Sequence, residues 1–331
     1  MRFPLSLYGS MAKYLIGKRL KGDDRFPLVL MLEPTHRCNL ACEGCGRIRE
    51  YHATLQQEMT LAECLQSVEE AGAPVVTITG GEPLLYSHVD RLVEELIARG
   101  KHIYFCTNGI LLEESLHRFK PNSHFTWNVH FDGAEDVHER IIGRTGGFAK
   151  AMAGVAAAKK LGFRVSTNTT VFRETDVSDI EKLFIQLTAA GVDGILVAPG
   201  FSYEEVQNDV FLTRKEIMDK FRIIRTWQSR FPLISNPIYL DFLAGDRTLK
   251  CTPWGNPTRN PQGWKAPCYL ITDTHYATYR ELMEKTDWDY YASGKDPRCA
   301  QCMMHCGFEP TIVRTMTGKD LLRMIEWDIN V

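Results

Sequence analysis

The sequence predicts an α/β fold in which a barrel-like sheet carries its helices on the outer side. From residue 28 onward, six short strand-like runs alternate with helical patterns, which is typical of parallel βα units. In two of those runs, residues 102–106 and 125–131, apolar and polar residues alternate, so one face is apolar and the other polar. A sheet covered by helices on both faces would be apolar on both. The alternation therefore favours a barrel with a polar interior.

The predicted elements follow one another in a regular order. The strands are "LVLML" at 28–32, "VVTIT" at 75–79, "HIYFC" at 102–106, "FTWNVHF" at 125–131, "RVSTNTTV" at 164–171 and "GILVAP" at 194–199. Helices are expected between them over 60–72, 89–99, 112–119, 147–161 and 177–190. The first of these helices begins at a capping box formed by Thr60 and Glu63 and ends near Gly72. After about residue 235 the alternation ends. The predicted domains are therefore residues 1–25, 26–235 and 236–331.

The bulk composition excludes several classes of protein. Hydrophobic residues make up 44% of the 331 residues, enough for a large core. A net charge of −2 gives no general attraction to nucleic acid. No apolar run reaches the roughly 20 residues of a membrane span, and the N-terminus lacks the pattern of a secretion signal. The ten cysteines therefore indicate metal or redox chemistry in a reducing cytoplasm.

The first 22 residues have the composition of a short basic amphipathic helix. Apolar residues such as Leu7, Met11 and Leu15 are interleaved with Lys13, Lys18, Arg19 and Lys21. Such a helix can lie on an anionic membrane surface. It can equally pack on its own domain with a solvated basic face.

Three cysteines, Cys38, Cys42 and Cys45, lie within eight residues after the first strand. A structural zinc site normally has four protein ligands, and His36 is the nearby candidate for the fourth. Thiolates equally select an iron–sulfur cluster, on which three cysteines would leave one iron free to bind a further ligand. The spacing favours the cluster, with zinc as the alternative.

A second segment, Gly80-Gly81-Glu82-Pro83, directly follows the second strand. Paired glycines let the backbone approach a ligand closely, and a carboxylate there could receive an ammonium group. Taken alone, such a segment is also a common turn between a strand and a helix, without any functional role. Its position at the carboxyl end of a barrel strand favours a functional role.

Together these two segments resemble the radical S-adenosylmethionine (SAM) superfamily. Its members carry a CxxxCxxC loop after the first strand and a GGEP-type segment after the second strand of a partial (β/α)6 barrel. The resemblance spans about residues 28–200 and continues in "NVHFDGAEDVHERIIGRTGGFAKAM". It implies that Cys38, Cys42 and Cys45 hold a [4Fe-4S] cluster whose open iron binds SAM. It also implies that Gly80, Gly81 and Glu82 meet the methionine end of SAM, with Glu82 pairing its ammonium.

The same resemblance suggests further SAM contacts and one departure. Residues at or near strand ends are weaker candidates for binding the ribose or carboxylate: Asn108, Asn128, His130 and Asn168. The family often has an aromatic residue before the third cysteine, where this chain has Gly44. The adenine contact that the aromatic residue provides must therefore come from elsewhere or be missing.

Five more cysteines fall between residues 251 and 306, in a segment that resembles a shortened SPASM or twitch domain. Four thiolates would close a second cluster and leave one cysteine over. We expect the ligands to be Cys268, Cys299, Cys302 and Cys306, most simply of a second [4Fe-4S] cluster. Zinc is the alternative, with His305 as a candidate ligand.

The opening 47 residues and the cysteine-bearing C-terminus resemble the hopanoid-biosynthesis branch of the superfamily. That resemblance implies a radical SAM enzyme that adds the 5′-deoxyadenosyl group to the terminal alkene of diploptene, a membrane-derived C30 triterpene. It also implies a low-potential electron donor such as flavodoxin or ferredoxin. The expected location is cytoplasmic, at the inner face of the membrane if residues 1–22 bind lipid.

Cys106 is the candidate catalytic residue that follows from such a reaction. Addition to the alkene leaves a carbon radical that must be quenched, and a thiol in the barrel interior is a suitable hydrogen donor. The strand alternation places Cys106 on the interior face, although a free cysteine is often inert packing. Cys64, in contrast, lies at core positions of its helix and is expected to carry no chemistry. The alternatives are hydrogen abstraction from a peptide or other small molecule, and a non-catalytic iron–sulfur or zinc scaffold.

Overall fold

A computed structural model describes residues 2–329. The strands are β1 Val29–Leu32, β2 Val75–Ile78, β3 His102–Thr107, β4 Phe125–His130, β5 Arg164–Val171, β6 Gly194–Pro199, β7 Thr258–Asn260, β8 Gly263–Pro267 and β9 Thr272–Tyr276. The helices of the first half are α1 Leu5–Leu20, α2 Gly46–Glu50, α3 Leu61–Ala71, α4 Val89–Ala98, α5 Leu112–Ser115, α6 Glu135–Ile142 and α7 Gly147–Lys160. Those of the second half are α8 Val177–Ala189, α9 Arg214–Ile224, α10 Pro237–Leu243, α11 Tyr279–Lys285, α12 Trp288–Ala292, α13 His305–Thr315 and α14 Gly318–Ile329.

The strands β1 to β6 form a parallel sheet in chain order. Helices connect consecutive strands, as parallel pairing requires. The α/β partial-barrel fold predicted from the sequence is confirmed. The predicted capping box is confirmed as well: Thr60 caps α3 together with Glu63, and Gly72 ends the helix in the left-handed conformation.

The two faces of the sheet differ as the alternation predicts. Phe105 and Trp127 are fully buried in the core under the helices. Cys106 and Asn128 occupy the opposite face at paired positions of β3 and β4. Burying the aromatic side chains on the outer face stabilises the barrel by about 2 kcal/mol each. The polar residues are therefore left for the interior.

The cysteine-rich extension continues the same sheet. β7 pairs with β1 in parallel, and β8 and β9 follow as antiparallel strands, so the sheet order is β6-β5-β4-β3-β2-β1-β7-β8-β9. The sheet therefore crosses the domain boundary predicted at residue 236. The division into three domains stays a prediction, and residues 1, 330 and 331 lie outside the described part.

Helix α1 crosses the end of the barrel at which the strands begin. Ser10 Oγ lies 3.2 Å from the Nε2 of His102, the first residue of β3. Tyr14 donates a 2.7 Å hydrogen bond to the carbonyl of Pro27, two residues before β1. Arg164, the first residue of β5, donates a hydrogen bond to the carbonyl of Arg2. Within residues 2–329, every helix is too short or too polar to cross a membrane.

Candidate functional site

The cysteine loop lies after β1, at the carboxyl end of the barrel strands. Cys38 and Cys42 pack against the buried side chains of Leu40, Ile110 and Ile142. Burial raises the pKa of Cys38 to about 12, so metal binding at this loop must displace protons.

Two bonds from one arginine fix the shape of this loop. Arg49 in α2 donates hydrogen bonds to the carbonyl oxygens of Cys42 and Cys45, at 3.1 and 2.7 Å. The loop also closes on itself, because the backbone nitrogen of Cys45 donates to the carbonyl of Cys42 at 3.2 Å. The loop therefore presents its three thiols from one short, braced turn.

Three thiolates in one loop are the donor set expected for an iron–sulfur cluster with one open iron. Among residues 2–329, no three His, Cys, Asp or Glu side chains converge closely enough to hold one metal ion. His36, the candidate fourth zinc ligand, is stacked on Tyr51 at 3.7 Å and has its Nδ1 3.0 Å from the hydroxyl of Thr54. An iron–sulfur cluster is larger than an ion and accepts more widely spaced thiolates. That the three cysteines hold the cluster stays a prediction.

Gly80 and Gly81 press against the chain that leads into the cysteine loop. A Cβ added at Gly81 would lie within 2.6 Å of three backbone atoms of His36 and Arg37. Gly80 has φ +116, and a Cβ there would meet the carbonyl of Thr35 at 2.7 Å. Only glycine permits this approach, so the pair positions the cysteine loop. Their contact with SAM stays a prediction.

Glu82 is buried and already has three partners within the chain. Its carboxylate accepts hydrogen bonds from the backbone nitrogen of Leu84, the hydroxyl of Thr107 and the backbone nitrogen of Asn108, at 3.0, 2.9 and 2.9 Å. Burial raises the pKa of this carboxyl to about 7. The carboxylate thus ties the loop after β2 to the loop after β3. Its pairing with the SAM ammonium stays a prediction.

Two aromatic rings take the space left by the glycines that flank Cys45. A Cβ at Gly44 would lie within 2.7 Å of two ring carbons of Phe172, which follows β5. A Cβ at Gly46 would lie within 2.7 Å of three ring carbons of Tyr203. An aromatic ring therefore does lie beside the residue before the third cysteine, but another part of the chain supplies it. Sequence spacing alone gave no signal for this contact.

The predicted SAM-binding residues occupy two levels of the barrel. Asn108 lies beside the cysteine loop, where its amide donates to Asn39 at 2.7 Å. His130 and Asn168 face each other one strand apart, with Nδ1 of His130 3.4 Å from Nδ2 of Asn168. Asn128 precedes His130 by two residues in β4, so it lies on the same face of the sheet and further from the strand ends. These positions stay candidates for ribose or carboxylate contacts.

Cys106 has a defined partner in the barrel interior. The side-chain amide of Asn128 donates a hydrogen bond to its Sγ at 3.3 Å, and Ser166 in turn donates to Asn128 at 3.1 Å. Burial raises the pKa of the Cys106 thiol to about 11. At neutral pH the group is therefore a thiol with its proton in place.

Sequence reasoning missed an acid at the end of β4. Asp132 is buried, and its Oδ1 lies 2.7 Å from Nε2 of His130. Burial, the largest single cause, lowers the pKa of His130, but the charge and the hydrogen bond of Asp132 together outweigh it, so the net shift is upward. The backbone nitrogen of Asp132 donates to Nδ1 of His138 at 3.2 Å. The run "HFD" at the end of a strand was the available signal.

A buried ionic cluster, also missed, joins the cysteine loop to the extension. Arg47, two residues after Cys45, lies 3.3 Å from the fully buried Glu33 and 3.6 Å from Glu50. Lys265 in β8 lies 3.2 Å from Glu50, and burial lowers the pKa of its ammonium to about 8. Buried charges persist only when paired, so each member depends on the others.

The five C-terminal cysteines line one cleft. Its remaining lining is largely apolar and includes Phe201, Tyr269, Leu270 and Ile271. The cysteines that line it are Cys251, Cys268, Cys299, Cys302 and Cys306. The structure therefore brings the four predicted ligands together, and their role stays a prediction.

Cys251, the cysteine left over, lies in the same cleft. A Cβ at Gly307 would meet its Sγ at 2.5 Å, so the chain after Cys306 runs directly against it. The zinc alternative has no single-ion site among residues 2–329. Burial lowers the pKa of His305 to about 4, which keeps its ring neutral.

Two family models match this chain. Residues 32–187 match that of the Radical SAM superfamily, and residues 195–325 match a domain of unknown function, DUF3463. The first match covers the barrel with the cysteine loop. The second begins in β6 and includes the C-terminal cysteines.

Curated relatives of similar sequence are described as GTP 3′,8-cyclases. The one from Petrotoga mobilis is 31% identical over 166 residues, which is 48% of this chain and 51% of that protein. The one from Aquifex aeolicus is 27% identical over 171 residues, which is 48% of this chain and 53% of that protein. The chain thus spans about half the length of these relatives.

Solved structures of similar fold cover nearly the whole chain. Streptococcus suis SuiB bound to the precursor peptide SuiA has a TM-score of 0.63 and 15% identity, over 95% of this chain and 74% of SuiB. The structure of anSMEcpe with bound AdoMet has a TM-score of 0.61 and 18% identity, over 92% of this chain and 98% of anSMEcpe. At these identities the likeness concerns the fold.

Proposed function

We propose that this chain, which carries a radical SAM domain over residues 32–187, is an adenosyl-hopene transferase that converts diploptene to adenosylhopane. The superfamily uses a [4Fe-4S] cluster and SAM, so these two cofactor predictions are confirmed. The hopanoid substrate rests on the full-length resemblance. The named relatives and structures concern other substrates.

When bound at the cysteine loop, the cluster and SAM supply the 5′-deoxyadenosyl radical. The chain itself braces that loop through Arg49, Gly80 and Gly81, and it holds the adjoining loop ends together through Glu82. The polar barrel interior lies directly below. The protein thus orients the reactants and keeps water away from a reactive species.

The thiol of Cys106 is the observation that carries the proposal. Addition of a carbon radical to the terminal alkene makes a new C–C bond and leaves a tertiary carbon radical, which needs one hydrogen atom. The S–H bond is weaker than a tertiary C–H bond, so transfer from Cys106 is downhill and leaves a thiyl radical. The thiyl regains the thiol by one electron from the flavodoxin- or ferredoxin-type donor and one proton from solvent. A buried, protonated thiol held by Asn128 suits this step.

The experiment is anaerobic incubation with SAM, a reductant and diploptene in D₂O, followed by mass analysis of the adduct. Because a thiol exchanges its proton with solvent, we expect one deuterium at the new C–H position. Cys106→Ala should still cleave SAM but give little saturated adduct. Cys64→Ala is the matched control, since Cys64 is a buried thiol in α3 that lies 3.8 Å from the hydroxyl of Tyr86. An unlabelled adduct, or an unchanged rate and stereochemistry in Cys106→Ala, would contradict the donor role.

The second candidate function is hydrogen abstraction from a peptide or other small molecule. The fold likeness to SuiB with its precursor peptide, over 95% of this chain, favours it. Product analysis separates the two functions. Stoichiometric free 5′-deoxyadenosine indicates abstraction, and incorporation of the adenosyl group into a larger product indicates addition.

We also infer that the C-terminal cysteines hold a second [4Fe-4S] cluster. Four thiolates in one largely apolar cleft are the usual donor set for such a cluster. Two clusters require about eight irons per fully reconstituted chain, and about four would refute the second cluster.

The remaining partners are those implied by the hopanoid resemblance. A C30 hydrocarbon resides in the bilayer, so a cytoplasmic enzyme must reach it there, and residues 1–22 are the predicted contact. The structure has α1 packed on the domain through half-buried residues such as Leu7 and Met11, while Leu5, Ile16 and Leu20 remain exposed. The helix thus combines packing on its own domain with a free outer face.

A further inference from the structure

Exposed large hydrophobic side chains are concentrated on two helices, α1 and α14. Among residues 2–329, twelve large hydrophobic side chains are exposed, and eight of them lie on these helices. The two helices together have 28 residues, 16 plus 12. Single exposed apolar residues are ordinary, but such a concentration marks an interaction surface. The eight are Leu5, Tyr8, Ile16, Leu20, Leu321, Leu322, Ile325 and Ile329.

On α14 these side chains form a stripe at helical spacing. Leu321, Ile325 and Ile329 follow each other at intervals of four residues, and their exposed fractions range from 46% to 64%. Trp327 is buried on the opposite side of the helix. The stripe therefore faces away from the domain.

The residues that lead into α1 contact the end of α14, which brings the two helices together. The backbone nitrogen of Arg2 donates to Asp328 at 2.8 Å, and its Nε donates to the carbonyl of Trp327 at 3.0 Å. The rings of Phe3 and Trp327 lie 6.1 Å apart. The start of α1 is thereby fixed to the end of α14.

Most of the charged side chains that these helices expose are basic. α1 contains no acidic residue and exposes basic ones, such as Lys13 and Arg19. On α14 the acids Asp320 and Asp328 turn inward, whereas Lys319 is exposed. Within α14, the exposed acid is Glu326.

We propose that α1 and α14 form one docking face for an anionic lipid bilayer. The apolar stripes would enter the headgroup region, and the basic rim would attract acidic headgroups. A second copy of this chain fits less well, because it would bring two basic rims together. The proposal extends the membrane contact proposed for residues 1–22 to a second helix at the other end of the sequence.

The docking face lies at the strand-start end of the barrel, because α1 crosses that end. The cysteine loop lies at the opposite end. The bilayer and the SAM site are therefore separated by the length of the barrel, and the SAM end stays free for a protein electron donor.

Flotation on lipid vesicles tests the proposal without SAM or diploptene, so its failure is distinct from failure of the proposed function. The full chain is mixed with vesicles of phosphatidylcholine, with and without a quarter of phosphatidylglycerol. The variant Leu321→Ser/Ile325→Ser removes the centre of the α14 stripe. Its matched control is Ile185→Ser/Ile223→Ser, at positions with exposed fractions of 48% and 50% on α8 and α9.

We expect the wild type to bind the anionic vesicles and the α14 variant to bind about tenfold more weakly or worse. The control should match the wild type, and both variants should keep the wild-type thermal melt. Lys13→Glu/Lys319→Glu should weaken binding to anionic vesicles and leave binding to neutral vesicles unchanged. Equal binding by the α14 variant and the control would overturn the proposal. A dimer in light scattering that only the α14 variant loses would also overturn it, in favour of self-association.

Discussion

Replacing Gly46 by alanine should destabilise the cysteine loop. The added Cβ would lie within 2.7 Å of three ring carbons of Tyr203, whereas ordinary contact begins at 3.4 Å. The ring must retreat by close to an ångström or more, and overpacking of this kind costs about 1–3 kcal/mol. Alanine also favours the first turn of α2 over glycine, by at most about 1 kcal/mol. The steric cost should exceed the gain in helix propensity, and we expect the free energy of unfolding to fall by about 1–2 kcal/mol.

Urea unfolding of the iron-free protein measures this change directly, and iron content after reconstitution reports whether the loop still forms its site. Gly17→Ala is the matched control, because Gly17 lies inside α1 and a Cβ there meets nothing within 4 Å. That variant should be stabilised by about 0.5–1 kcal/mol and keep its iron.

The double variant Gly46→Ala/Tyr203→Leu isolates the contact. If the ring is the obstacle, replacing it by the smaller leucine side chain should recover most of the lost free energy of unfolding. The double variant should then be more stable than the sum of the two single changes predicts. A Gly46→Ala protein as stable as the wild type, or a double variant no better than the sum of the single ones, would refute the reasoning.

Three further outcomes are expected. Because burial raises the pKa of Cys106 to about 11, adduct yield should not fall through ionisation of this thiol between about pH 7 and 9, which a pH profile at saturating SAM measures. Cys299→Ser should lose about four irons per chain and Cys251→Ser should keep them; equal loss from both would place Cys251 among the ligands. Asp320→Asn should cost about 1 kcal/mol in urea unfolding, because Arg247 bonds this carboxylate at 2.6 and 2.9 Å. The hydrogen bond from Arg247 lowers the pKa of Asp320, so its stabilisation is present above about pH 4 and is lost as the pH falls, and Asp320→Asn should flatten that acid limb.

The fold was predictable because its signals are local. Each barrel strand has its own alternation or apolar run, and the capping box at Thr60 and Glu63 identifies the start of α3 within four residues of sequence. The cysteine loop was predictable for the same reason, since its three thiols lie on one turn. Even the interior position of Cys106 follows from the period of two along β3.

The contacts that complete the site were not predictable, because they join distant parts of the chain. Tyr203 fills the space beside Gly46, and Phe172 fills that beside Gly44, from more than a hundred residues away. The spacing of residues within one segment does not reveal a contact with a distant segment. The absence of an aromatic residue before Cys45 was visible in the sequence, but the ring that lies there instead became visible only in the fold.

These long-range contacts also bear on whether the extension is an appendage. Arg47 donates a hydrogen bond to the carbonyl of Tyr269, and Lys265 pairs with Glu50 in α2, so two elements of the extension hold the helix that follows the cysteine loop. Without Lys265 the cluster would hold two carboxylates, Glu33 and Glu50, against the single guanidinium of Arg47, and a buried charge left uncompensated costs about 3–5 kcal/mol. That is a large part of a domain's net stability. The barrel of this chain therefore depends on its cysteine-rich extension for the geometry of the loop that would bind the cluster.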